Sequence, residues 1–272
     1  MNDTGRFAIH TATTKPWDLE TAVRKYAEAG VAGISVWKEA LEGRDPAGAG
    51  AMIRSAGLSV VSLVRGGFFP AAEAAVRRQR VRDNERLIRV AAELGAPLVV
   101  LVCGAAPGVR IADARAQVEA GIEAILPVAQ AAGVRLAIEP LHPMYAGDRS
   151  VISTLGEAND LCERFGSASL GLAVDVYHVW WDPELEPQIA RAGRLGKIMA
   201  FHVCDWKTPL LDTLEDRGLM GEGCVDIPRI RGWVESAGFR GFVEAEIFSR
   251  RYWAMDQDDW LRMILQALRE HV

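Results

Sequence analysis

The chain has 272 residues, half of them hydrophobic, and a formal net charge of −5. That length suits one (β/α)8 barrel, with enough apolar residues for an interior core and a helix–sheet interface. The acidic balance gives no field to gather phosphates, so a nucleic-acid partner is not expected.

In chain order, short apolar runs alternate with longer amphipathic ones. The runs Phe7–Thr11, Gly33–Trp37, Ser59–Val64, Leu98–Val102, Arg135–Glu139, Leu170–Asp175, Met199–His202 and Phe242–Glu246 read as strands. Several are apolar on consecutive residues, the pattern of parallel strands covered on both faces. Leu19–Ala29 carries Ala22, Tyr26 and Ala29 on one helical face. Residues 73–94 mix Leu87, Ile88, Val90, Ala91 and Leu94 with many arginines, a helix with one wet side. Gly30, Gly95, Gly133 and Gly238 stand where helices should stop before the next strand. Asp226-Ile-Pro228 reads as a helix start. Eight strand–helix units close an α/β (β/α)8 TIM barrel, expected as a single domain over residues 1–272. An open doubly wound sheet would place a Gly-rich turn after the first strand, where Thr11-Ala-Thr-Thr-Lys15 stands instead.

Cys103, Cys162, Cys204 and Cys224 are widely spaced without a Cys-x-x-Cys pair, and read as reduced thiols of a cytoplasmic protein. The segment MNDTGRFAIH lacks the basic-then-apolar pattern of a leader peptide. The longest apolar stretch, Ala96–Val109, is broken by Pro97, Gly104 and Pro107, so no membrane span is expected.

In such a barrel the site forms where strands end. The first four candidate strands end in His10-Thr11, Trp37-Lys38, Arg65-Gly66-Gly67 and Cys103-Gly104, without a carboxylate. The last four end in Glu139, Asp175, His202 and Glu246, at intervals of 36, 27 and 44 residues, each close to one βα unit. Three carboxylates at one rim would repel unless a cation neutralised them. Three oxygen donors and one imidazole suit one divalent ion, Mn2+ first, with Mg2+, Co2+ or Zn2+ as alternatives. A single strand-end carboxylate is often a helix cap, and Glu244 competes with Glu246 for the ligand role. Glu246 is favoured because it stands nearer the rim.

The stretches Ala137-Ile-Glu-Pro-Leu-His142, Val174-Asp-Val-Tyr-His178, Phe201-His-Val-Cys-Asp205, Gly221-Glu-Gly-Cys-Val-Asp226 and Gly241-Phe-Val-Glu-Ala-Glu246 resemble the xylose-isomerase-like superfamily of sugar isomerases and epimerases. Its members include ketose 3-epimerase, inosose dehydratase and hydroxypyruvate isomerase relatives. The resemblance implies one metal on Glu139, Asp175, His202 and Glu246, with Glu139 and Glu246 also moving protons. It implies a small sugar or polyol as substrate, and proton abstraction beside a carbonyl through an enediolate. His178 would touch substrate hydroxyls, and Arg217 lies on the loop after strand seven, which in relatives closes over substrate. Arg217 has a rival reading as a surface ion pair with Glu215 or Asp216. His142 is either a substrate contact or a loop hydrogen bonder, and His10 would line the pocket floor. Trp206 is one of several aromatic candidates for the pocket wall. A homodimer or homotetramer is implied by the same relatives.

Three rivals share this pattern. A lyase or dehydratase acting on an inosose or keto-glycoside would expel a leaving group after the same proton abstraction. A repair endonuclease needs three zinc ions and more histidines than the five present. A non-catalytic sugar-binding barrel would have no use for an acid–base pair.

Overall fold

The structure is a computed structural model and describes residues 4–272. The reading of the first three residues as part of a chain start without a leader lies outside the described residues. Eight parallel strands close a barrel in sequence order: β1 Phe7–His10, β2 Gly33–Trp37, β3 Ser59–Gly67, β4 Leu98–Val102, β5 Arg135–Glu139, β6 Leu170–Asp175, β7 Ile198–Val203 and β8 Val243–Ala245. The helices are α1 Leu19–Glu28, α2 Pro46–Ser55, α3 Ala74–Leu94, α4 Ile111–Ala132, α5 Leu155–Phe165, the one-turn α6 Val176–Val179, α7 Leu185–Arg194, α8 Ile227–Ser236, the one-turn α9 Arg250–Trp253 and α10 Gln257–His271.

The helix boundaries follow from local chemistry. Asp18 caps α1 by accepting from the Thr21 amide, and Asp226 caps α8 by accepting from that of Arg229. Thr154 and Glu157 form a reciprocal capping box on α5. Gly95 and Gly133 end α3 and α4 in the left-handed conformation, as their positions predict. Most of the apolar core lies between helices and sheet. A second, smaller cluster of Val64, Leu98, Val100, Ala137, Ala173 and Ala200 fills the barrel interior.

Four strands depart from the sequence reading at their ends: β1 stops at His10, one residue short of Thr11, and β7 runs one residue further at each end, Ile198–Val203. β3 runs on past Val64 to Gly67, because Gly66 and Gly67 continue the pairing with Leu101 and Val102. β8 stops at Ala245, so Glu246 stands just beyond it, with its amide still donating to the Val203 carbonyl at 3.1 Å.

Alternation along each strand places the site. Side chains two residues apart face the same way, and Ala137, Ala173 and Ala200 each lie two residues before Glu139, Asp175 and His202. Small side chains thus fill the interior directly under three of the four expected ligands. Register then sets their heights: Asp175 pairs with His202, and His202 with Glu244. Glu246 therefore rides one interior layer above Glu244.

The end of β3 is held by a buried side chain of α3. The Asn84 amide donates to the carbonyls of Gly67 and Arg80, both at 2.8 Å, and its oxygen accepts from the Gly67 amide at 2.6 Å. Gly67 sits at φ +98°, and a Cβ there would meet the Val102 carbonyl oxygen at 2.0 Å. Asn84→Ala strands buried polar groups on Gly67. A loss of about 2–4 kcal/mol in urea unfolding is expected, and an unchanged midpoint would contradict this role.

Candidate metal centre

Glu139, Asp175, His202 and Glu246 converge: one ligand atom from each lies within 4.8 Å of all the others, and all four residues are buried. His202 Nδ1 is 2.9 Å from Glu139 Oε1. Asp175 divides its two oxygens. Oδ1 accepts from the Tyr177 amide at 2.9 Å and so caps α6, while Oδ2 faces the cluster. The cap reading of this strand-end carboxylate thus holds on Oδ1, and Oδ2 is left facing the cluster.

Arg217 is only 3% exposed, which excludes the surface-pair reading. Glu215 and Asp216 pair instead with Arg250 and Lys207. The Arg217 guanidinium donates to Asp175 Oδ2 at 3.0 Å and to Glu246 Oε2 at 2.8 Å, and its Nη2 lies 3.2 Å from His178 Nε2. The loop between β7 and α8 brings it there. Asp205 anchors that loop by accepting from the amides of Trp206, Gly221 and Val225, and the hydroxyls of Tyr145 and Tyr177 both donate to the Thr213 carbonyl.

A layer below, Glu244 Oε2 accepts from Ser35 and lies 3.1 Å from His10 Nε2. His10 Nδ1 is 3.1 Å from Glu246 Oε1. Glu244 is therefore the under-support of the site, facing inward like Glu246 but one layer down. Sequence alternation puts both glutamates on one face with Glu246 nearer the rim, and the pairing of Glu244 with His202 fixes the lower layer.

The charges explain the titration behaviour. Burial pushes the Asp175 carboxyl up to about 7, against the pull of Arg217 and with the push of Glu246 and Glu139. Burial works against an imidazolium at His202, but Glu244, Glu139 and Glu246 outweigh it and raise this residue to about 10. Glu246 is held well below the usual carboxylate range, since His10 and Arg217 overcome its burial. Burial and Arg217 together drive His178 well below the usual histidine range, so it is neutral. The carboxylates are thus held together by Arg217 and the imidazole of His202.

A divalent ion fits this donor set. Three carboxylates and one imidazole with converging ligand atoms are hard-to-borderline donors. His202 Nε2 is a buried nitrogen without a hydrogen-bond partner, with Glu244 Oε2 at 3.8 Å on that side, where a carboxylate orients a ligating imidazole.

Above the cluster lies a cavity of about 100 Å3, lined by Glu139, Glu246, His178 and Arg217 together with Trp37, Arg65, Val102, Leu141, Tyr145, Arg149, Leu214 and Phe248. His178 and Arg217 thus line the cavity. His10 lies beneath it, outside the lining. His142 and Trp206 stand behind it: their rings stack at 4.9 Å, and His142 Nδ1 accepts from the Met144 amide. Arg65 was visible at a strand end. Tyr145 ends a short 3-10 turn, Pro143–Tyr145, and Arg149 lies in the loop just after it, neither carrying a periodic signal in the sequence. A larger cavity of about 420 Å3 lies alongside and shares Trp37, Leu214 and Phe248 as its wall.

The closed eight-stranded barrel, with its acidic cluster at the C-terminal strand ends, defines a class of protein. The sequence model of the xylose isomerase-like TIM barrel family matches residues 23–271, and the chain belongs to that family. A crystal structure of protein SMc04130 from Sinorhizobium meliloti 1021 is 44% identical, covers 100% of this chain and 99% of its own, and superposes with a TM-score of 0.95. The structure of IOLI protein with a bound zinc atom is 17% identical, covers 96% of each chain, and has a TM-score of 0.83. Inosose isomerase of Halalkalibacterium halodurans is 24% identical over 138 residues, or 50% of this chain and 47% of that relative. The chain thus matches about half the length of that curated protein. No helix among the described residues is long and apolar enough to cross a membrane.

Arg217→Met tests the charge balance. It leaves Asp175 and Glu246 without their buried counter-ion, and the metal-free protein should lose about 3–5 kcal/mol. Adding Mn2+ should then raise its melting temperature by more than it raises that of the unaltered protein. Equal shifts in differential scanning calorimetry would show that the guanidinium does not stand in for a cation.

Proposed function

We propose that the protein is a divalent-metal-dependent isomerase or epimerase of a small sugar or sugar-like polyol, working by proton transfer beside a carbonyl. The observation that carries this reading is the asymmetry between the two glutamates. Both oxygens of Glu246 are engaged, one with His10 and one with Arg217. Glu139 engages Oε1 with His202, while its Oε2 makes no hydrogen bond among the described residues, in a side chain that lines the cavity. A carboxylate oxygen free at a cavity wall is available to take a proton from a bound molecule.

Glu139 and Glu246 come from β5 and from the end of β8, three strands apart in a barrel of eight, so they approach the cavity from well-separated directions. One would take a proton, and the other, after picking one up from solvent, would deliver it on the opposite face, giving epimerisation, or on the adjacent carbon, giving isomerisation. Arg217 and His10 favour the carboxylate form of Glu246. His178, neutral and lining the cavity, can hold a substrate hydroxyl. Trp37, Leu141 and Phe248 reduce water contact and so strengthen these interactions. A divalent ion held by Glu139, Asp175, His202 and Glu246, Mn2+ by the donor set, would supply Lewis-acid stabilisation of the negative charge on the carbonyl oxygen. Relatives point the same way: one carries the name inosose isomerase and another binds zinc.

The test is incorporation of deuterium from D2O into a panel of ketoses and inososes with Mn2+ present, followed by mass spectrometry. Glu139→Gln should keep the fold and lose about 10²–10⁴-fold in exchange rate. Near-normal exchange in that variant would remove Glu139 from proton transfer. Loss of water or of an aglycone from the labelled product would move the reaction to elimination.

A further inference from the structure

Three arginines reach the cavity above the acidic cluster. Arg217 is neutralised by Asp175 and Glu246. The other two are not matched in this way. Arg65, half-buried near the end of β3, makes no hydrogen bond and no ion pair among the described residues. Its guanidinium lies 4.5 Å from the ring centre of Phe68 and 5.8 Å from that of Trp37. Arg149 reaches a carboxylate only at 3.9 Å, that of the exposed neighbouring Asp148, and its guanidinium lies 5.9 Å from the ring centre of Tyr145. Glu39, Glu139 and Glu246 attract Arg65 from a distance, with no carboxylate oxygen within 4.0 Å. Burial and the nearby Arg149 oppose its charge and hold Arg65 below its usual range.

The local charges do not cancel. At the cavity Glu139, Asp175 and Glu246 contribute three negative charges, which a divalent cation and Arg217 would match, while Glu244 lies a layer below against His10 and Ser35. Arg65 and Arg149 then remain as surplus positive charge at the wall of a small, aromatic-lined cavity. Guanidinium groups braced on aromatic faces lose little freedom on binding and offer paired N–H donors suited to planar or tetrahedral anions.

We propose that Arg65 and Arg149 form an anion clamp that receives a carboxylate or phosphate of the substrate, so that the substrate is an acidic sugar derivative rather than a neutral sugar. That the anion belongs to the substrate rests on the proton-transfer reading above; the binding of an anion here does not. The clamp sets specificity by charge, since a neutral sugar would leave the two arginines unmatched while an acid of similar length would satisfy them. Its position on the wall shared with Glu139 and Glu246 puts the anion within one short polyol of the proton-transfer groups.

The experiment is isothermal titration of Mn2+-loaded protein with D-gluconate, D-glucitol 6-phosphate and neutral D-glucitol in chloride buffer, after Mn2+ binding has been measured by electron paramagnetic resonance. At least one of the two anions should bind about tenfold or more tightly than D-glucitol, as expected for one charge-assisted contact. The preferred anion tells carboxylate from phosphate. Arg65→Gln and Arg149→Gln should each weaken that anion about tenfold and leave D-glucitol unaffected, with Arg65→Lys recovering part of the loss. Equal binding of all three compounds, no binding of either anion, or an equal loss for charged and neutral compounds in both variants would overturn the clamp. Failure of Mn2+ to bind would instead sink the metal-dependent reading, and the same titrations on metal-free protein would still judge the clamp.

Discussion

Four carboxylates, those of Glu139, Asp175, Glu244 and Glu246, are buried within the mouth of one barrel. Like charges gathered in a low-dielectric interior repel strongly, so the fold tolerates them only with cations among them. Arg217 and the imidazoles of His202 and His10 supply that compensation, and a divalent ion would supply more. The rest of the site is arranged around this constraint.

It explains the long connection between β7 and α8. Arg217 needs a path from the loop into the barrel, and Asp205 fixes that path by collecting three loop amides. Gly223 packs so closely that a Cβ there would meet the Trp206 carbonyl oxygen at 2.2 Å. Tyr145 and Tyr177 fasten the same loop from the opposite side through the Thr213 carbonyl. The aromatic group of His142, Tyr177, Trp180 and Trp206 backs it. A loop usually adds mobility, but this one is tied down because it carries a buried counter-ion.

The same constraint gives the two glutamates of β8 different tasks. Facing one way along the strand, they differ by one layer of height. Glu244 pairs in register with His202 and takes hydrogen bonds from the barrel floor. Glu246 reaches the cavity. Ala137, Ala173 and Ala200 make room beneath the other ligand positions, so the larger polar groups above them are not forced upward by bulk.

Much of this was legible in the sequence. Consecutive apolar residues marked the buried parallel strands, glycines marked the helix ends, and one acid or imidazole at the end of each of the last four strands marked the cluster. These features are local, since strand periodicity and capping depend on near neighbours. The ends of β3 and β8 were not legible, because pairing with the neighbouring strand decides them. Nor was the burial of Arg217, which sits in a polar run, Glu215-Asp-Arg-Gly218, that reads as surface. Its place depends on Asp175 and Glu246, which lie 42 and 29 residues away in the chain. His142 and Trp206 stack behind the cavity for the same kind of reason, since two loops pack against each other. The sequence alone determined the barrel, the place of its eight strands and the set of candidate ligands. The tertiary structure decided their heights, their counter-ions and which side chains line the cavity, because those depend on inter-strand register and on long-range charge pairing.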